Sequence, residues 1–168
     1  FLKRLIFDEI LSTFLINSKI RKTIKKFKKE KKSFNEDFSN NIKKALGYEL
    51  TSDQTNALNE INNDLKSEEK MFRLLQGDVG SGKTIVALIS CLNVVNSGYQ
   101  VAFMAPTEIL AYQHYKLAQS LIKDKMKIGF LTSKTDYSER KKIINDLETS
   151  KLNIPVSYTH LTLPTIIT

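Results

Sequence analysis

The sequence lacks the residues that mark a secreted or membrane-spanning chain. One cysteine, Cys91, stands among 168 residues. No intramolecular disulfide can form, and a reducing compartment is expected. No apolar run approaches the ~20 residues of a membrane span, so no membrane partner is expected. A charged start, apolar stretch and small-residue cleavage site are also missing, which excludes a recognisable signal peptide. Tryptophan is absent, and arginine is scarce, at 4 against 22 lysines. That bias follows nucleotide composition more than function. The sequence opens on Phe1 rather than Met, so it is expected to be a piece of a longer chain.

What is present suits one domain with an appendage. Hydrophobic residues make up 41%, enough for a core. The net charge of +8 is unevenly spread: residues 1–47 carry all of it, while 48–168 are neutral. The positive charge is densest from Lys19 to Lys32. Such a run attracts a polyanion in a salt-dependent way, but it reads equally well as a solvated helical face.

Periodicity divides the chain. Leu2, Leu5, Ile6, Ile10, Phe14 and Leu15 predict a long amphipathic helix whose stripe covers a core. After a break at Ser33 to Asn35, Phe38, Ile42, Ala45 and Leu46 predict a short second helix closed by Gly47. Thr51 and Gln54 form a capping box for a helix that buries Ala57, Leu58, Ile61 and Leu65. Three strand–helix units are then predicted. Strands Met71–Gln76, Gln100–Ala105 and Lys127–Thr132 are followed by helices Lys83 to about Asn96, Glu108 to about Lys123, and Tyr137 to about Thr149. Strict alternation predicts an α/β fold with a parallel sheet and flanking helices.

One motif carries chemistry by itself. Gly77, Asp78, Val79, Gly80, Ser81, Gly82, Lys83 and Thr84 satisfy the P-loop pattern GxxxxGK[ST]. Glycines let backbone N–H groups turn around a phosphate, and the next helix offers its positive end. Lys83 would reach the β- and γ-phosphates of ATP, and the Thr84 hydroxyl would hold Mg²⁺. Other candidates have plainer readings. Gln54 completes a capping box, Pro106-Thr107-Glu108 starts a helix well, and Cys91 packs in an apolar helix. His114 has no Cys or His neighbour at ligating spacing, so no metal other than Mg²⁺ is expected.

Taken together, three segments resemble the bacterial RecG family of superfamily 2 ATP-dependent DNA helicases. They are Leu50-Thr-Ser-Asp-Gln54, Arg73-Leu-Leu-Gln-Gly-Asp-Val-Gly-Ser-Gly-Lys-Thr84 and Gly98-Tyr-Gln-Val-Ala-Phe-Met-Ala-Pro-Thr-Glu-Ile-Leu-Ala-Tyr-Gln-His114. The match is dense from Leu50 to Gln119 and weaker to Ile154. The resemblance implies a P-loop, RecA-like lobe and an ATP-hydrolysing helicase that remodels forks and junctions in DNA repair and recombination. It further implies a monomeric, cytoplasmic bacterial protein acting on branched or duplex DNA. By the same resemblance Gln54 reads the adenine edge, Tyr48 stacks on the base, and Pro106, Thr107, Glu108, Gln113 and His114 lie in a segment that contacts DNA phosphates. Transcription-repair coupling translocases are the near alternative. Ser81, Leu75-Gln76 and Met104 to Ile109 favour RecG over them. A non-motor nucleotide- or DNA-binding module is the alternative from another class.

The departures set limits. No Asp-Glu-x-His or Asp-Glu-x-Asp segment follows, and neither a second lobe with its arginine finger nor the family's wedge is in the sequence. The expected organisation is a basic helical linker at 1–47, a truncated first lobe at 48–154, and a foreign tail at 155–168. Residues Val156-Ser-Tyr-Thr-His-Leu-Thr-Leu-Pro-Thr165 resemble the translation of a transposase-type sequencing adapter. Pro155, Ser157, Thr159, His160 and Pro164 are poor residues for the buried strand expected there. The chain alone is therefore expected to bind ATP weakly and not to turn it over.

Overall fold

A computed structural model describes residues 2–122 and 126–158. In chain order the elements are α1 (Leu2–Lys26), α2 (Glu36–Ala45), α3 (Ser52–Lys66), α4 (Lys83–Asn96), β1 (Phe103–Ala105), α5 (Glu108–Ile122), β2 (Ile128–Phe130), α6 (Tyr137–Glu148) and β3 (Ile154–Tyr158). The strands make one parallel sheet in the order β1-β3-β2. The α/β architecture with flanking helices is as the alternation predicts. Among the described residues no helix is long and apolar enough to cross a membrane.

Helix α4 organises the core because it is apolar on nearly every side. Val86, Leu88, Ile89 and Leu92 are buried, meeting Leu58 and Ile61 of α3, Ile42 of α2 and Ala118 and Leu121 of α5. Each such side chain contributes roughly 1.5–3 kcal/mol by leaving water. Helix α5 lies against all three strands, and Ile154 and Val156 of β3 close the core beneath it. Polar groups in this interior are satisfied locally. The Ser90 hydroxyl donates to the Val86 carbonyl at 2.8 Å, and the Asn93 amide to Asn62 Oδ1 at 3.3 Å.

Three sequence expectations need correction. Met71–Gln76 is not a strand, since only sheet pairing makes one and β1, β3 and β2 pair with each other. Leu74 is instead 81% exposed, and only Leu75 joins the core. The α1 stripe covers no core among the described residues: Leu5, Ile6, Ile10, Phe14 and Leu15 are all exposed. Residues 155–158, thought unsuited to a strand, supply most of the central strand β3. The register explains why. Pro155 stands opposite Gly129 of β2, but the bonds on that side run through its neighbours, from the Ile154 N–H to the Lys127 carbonyl at 3.2 Å and from the Leu131 N–H to the Val156 carbonyl at 3.0 Å, and the β1 pairs begin only at Phe103↔Val156. Ser157 is fully buried but donates its hydroxyl to the Leu131 carbonyl at 2.9 Å. The Thr159-His160-Leu161 segment, the remaining tail and Lys123 lie outside the described residues.

The basic appendage is joined to the lobe by a strap, residues 27–34, which crosses the end of α3. Lys28 bridges to Glu69, and the Lys29 N–H donates to the Glu68 carbonyl at 2.8 Å. The Lys29 ammonium caps α3 by donating to the carbonyls of Asp64 (3.0 Å) and Leu65 (2.7 Å), where the helix dipole favours a cation. Desolvation there, and then the neighbouring Lys32, lower its pKa below the usual lysine value. Lys31 pairs with Glu68 at 3.2 Å, and Lys32 sits 3.3 Å from the Tyr99 ring centre. The cationic run is thus split. Lys19, Arg21 and Lys22 face solvent on α1, while Lys29, Lys31 and Lys32 are engaged with the lobe.

Candidate functional site

The site is built around the loop between α3 and α4. Thr51 caps α3, its hydroxyl accepting the Gln54 N–H at 3.3 Å, and Gln54 Oε1 accepts the Thr51 N–H at 3.0 Å. The Gln54 amide does more than cap. Its Nε2 donates to the Ser81 carbonyl at 2.9 Å, so one side chain joins the start of α3 to the apex of the loop.

Gly80 (φ 83) and Gly82 (φ 80) take left-handed conformations, which only glycine adopts freely. Gly82 is the N-cap of α4, and a Cβ there would lie 2.3 Å from Gln54 Nε2. At Gly77 a Cβ would come within 2.8 Å of Ser81 Oγ. The loop therefore closes on itself at Gly77 and Gly82, where no side chain fits, while Gly80 opens to solvent and needs glycine for its backbone angle alone. Val79 stands fully exposed at its tip. Lys83 turns inward. Its ammonium donates to the carbonyls of Gly77 (2.8 Å) and Asp78 (2.6 Å) and to Ser81 Oγ (3.3 Å). All three partners are neutral oxygens, which a phosphate would outcompete for a cation. Thr84 follows in the first turn of α4, half-buried. A backbone cradle, a helix N-terminus, an ammonium and a hydroxyl are the donor set that a Mg²⁺-triphosphate requires.

Tyr48 is exposed and lines a cavity of about 460 Å³ with Lys44, Gly47, Glu49, Leu50 and Thr55, at the approach to α3. Sequence reasoning passed over Arg73, Glu60 and Asp64. Arg73 Nε and Nη2 each approach Asp64 Oδ2 at 2.8 Å, and Nη1 reaches Glu60 Oε2. Bonding to Asp64, and then to Glu60, raises the guanidinium's pKa above its ordinary value. The available signal was an acidic pair one turn apart on α3, beside an arginine four residues ahead of the loop.

The second cluster lies where β1 runs into α5. Pro106, Thr107 and Gln113 are exposed, and Thr107 Oγ1 accepts the Leu110 N–H at 3.3 Å, capping the helix. Glu108, in the first turn, is 3.8 Å from the Lys134 ammonium. His114 points elsewhere. Its ring stands edge-on to Phe103 with centroids 5.3 Å apart, and burial lowers its pKa. Nearby, Tyr115 stacks on Phe130 at 5.2 Å. Burial pushes the Cys91 thiol up to about 12, which suits packing and not reactivity.

A helicase class fits this fold and loop. The profile of the DEAD/DEAH box helicase family matches residues 51–164, and the chain belongs to that family. Within it the resemblance is to RecG. The ATP-dependent DNA helicase RecG of Aquifex aeolicus is 42% identical over 155 residues, covering 92% of this chain and 20% of that protein. The chloroplastic/mitochondrial RecG homologue of Arabidopsis thaliana is 42% identical over 173 residues, covering 90% and 18%. A structure of RecG bound to a three-way DNA junction superposes with a TM-score of 0.83 at 37% identity, over 95% of this chain and 22% of that one. The chain spans about a fifth of the length of these relatives.

Proposed function

We propose that the protein carrying this chain is an ATP-dependent DNA helicase that remodels branched DNA in repair and recombination. The chain supplies the phosphate-binding part of its first motor lobe. The observation that carries this reading is the inward-turned Lys83, held by neutral oxygens in a loop whose Gly77 and Gly82 have no space for a side chain. The RecG relatives supply the rest of the support.

In this reading the N–H groups of 78–84 and the α4 N-terminus receive the triphosphate, Lys83 neutralises its charge, and Thr84 holds Mg²⁺. The ion supplies charge neutralisation between phosphates when bound. Gln54, already in contact with Ser81, reads the adenine edge, and Tyr48 borders the base. The exposed α5 start, with Pro106, Thr107, Glu108 and Gln113, contacts DNA phosphates, which hold position without reading sequence. His114 supports that helix through Phe103. Residues 1–47 are the linker, 48–154 belong to the lobe, and 155–168 are of adapter origin, with 155–158 filling the position of a native strand. The protein is cytoplasmic and monomeric. The chain by itself, without an acidic partner for the ion, does not turn ATP over.

The test is DNA-stimulated hydrolysis by the full-length protein on branched and linear duplexes. Lys83→Ala should lower it by about a hundredfold or more, the scale of removing one preorganised donor to transition-state charge. Retained hydrolysis and junction unwinding would refute the proposal.

A further inference from the structure

Arg73 touches neither the cradle nor the cap, yet it is the polar tie that holds the entry to the loop. The run from Arg73 to Gln76 has no sheet partner among the described residues, so no ladder fixes its direction. The guanidinium instead grips two carboxylates of α3, Glu60 and Asp64, spaced four residues apart. Those carboxylates face the same way on the helix and would repel each other without a cation between them. A lone exposed ion pair is worth little, but a planar fork held on two acids fixes orientation as well as distance.

The same helix reaches the loop at a second point. Gln54, at the start of α3, holds the Ser81 carbonyl at the loop apex. Gln54 and Asp64 are ten residues apart, about 15 Å along a helix. One helix thus contacts the loop at both its entry and its apex.

We propose that Arg73 is a positioning residue of the phosphate-binding loop, locking the loop's entry to the helix whose other end holds its apex. The inference rests on the reading of the loop as an ATP site. It is tested on the full-length protein by titration with a fluorescent ATP analogue and by steady-state hydrolysis. The proteins compared are the wild type, Arg73→Gln, Arg73→Lys, Asp64→Asn, the exchanged pair Arg73→Asp with Asp64→Arg, and Lys83→Ala. Arg73→Gln should raise Kd and KM by about fivefold or more with kcat within about twofold at saturation. Arg73→Lys should fall between it and the wild type, and the exchanged pair should recover part of the loss. A purely structural role predicts a lower melting temperature with unchanged KM in the folded fraction, and that result overturns the inference. Should Arg73→Gln fail to fold, Asp64→Asn carries the test, and wild-type KM there overturns it equally. A wild-type protein that binds no analogue, or binds it independently of Lys83, sinks the ATP-site reading itself. Normal wild-type binding with an unaffected Arg73→Gln sinks this inference alone.

Discussion

Replacing Gly82 by alanine asks whether the left-handed cap and Gln54 act as one device. The residue sits at φ 80, ψ 20, where an L side chain costs about 1–2 kcal/mol. The new methyl would also lie 2.3 Å from Gln54 Nε2 and 3.3 Å from its Cδ, so the amide must leave. Leaving breaks two hydrogen bonds, one from the Thr51 N–H and one to the Ser81 carbonyl. Each is worth about 0.5–1.5 kcal/mol net, at the low end because Gln54 is half-exposed and water can replace them. Gly82→Ala should therefore destabilise by about 2–3 kcal/mol and Gln54→Ala by about 1 kcal/mol. The two must not add. Once alanine has evicted the amide, deleting Gln54 removes nothing further, so the double variant should match Gly82→Ala. The shortfall of ~1 kcal/mol exceeds the ~0.3–0.5 kcal/mol within which independent sites add. Urea denaturation of the four proteins, followed by far-ultraviolet circular dichroism, measures the cycle. Additive losses would refute the contact between Gln54 and the loop.

Two further expectations concern charge. Burial holds His114 below the ordinary value of 6.5, so the unfolded chain takes up the proton first as pH falls. The stability His114 contributes is complete above pH 6.5 and is lost as pH drops through its lower folded value; urea midpoints should fall from pH 7 to 5, and less so in His114→Gln. Equal falls in both proteins would clear His114 of the effect. Neutralising Lys19, Arg21 and Lys22 together should flatten the slope of log DNA affinity against log salt by up to about three units. Lys29→Met should leave that slope alone and lower stability, because its ammonium is spent on the α3 carbonyls. Equal slope changes in the two variants would show that the run is not divided.

Residue type and spacing made the loop readable, because GxxxxGK[ST] encodes backbone conformation directly and Gly80 and Gly82 adopt it. The Thr51–Gln54 cap and the limits of α4 were legible for the same local reason. What sequence withheld was non-local. An apolar run such as Met71–Gln76 shows that a segment favours a sheet, not that a neighbour stands beside it. The α1 stripe likewise shows a face suited to burial without naming its cover. Pro155 and Ser157 looked like strand breakers because their harm depends on ladder register and on the Leu131 carbonyl, 26 residues away. A count of lysines could not separate Lys19 and Lys22 from Lys29 and Lys32, since only folding brings the α3 terminus and Tyr99 to the latter pair. Arg73 was opaque for the same reason, its partners lying 9 and 13 residues back along the chain.

The strap gives α1 the geometry of a lever. Its 25 residues extend about 37 Å at 1.5 Å each. The arm's base is bonded to the lobe through α3, through Tyr99, whose hydroxyl donates to Glu30 at 2.8 Å, and through Ser97, whose hydroxyl donates to the Ser33 carbonyl at 2.6 Å. A turn of the lobe by about 10° carries the far end of a straight arm of that length through ~6–7 Å. The length of the arm sets that amplification, and the ties at its base decide how much of the lobe's turn reaches it.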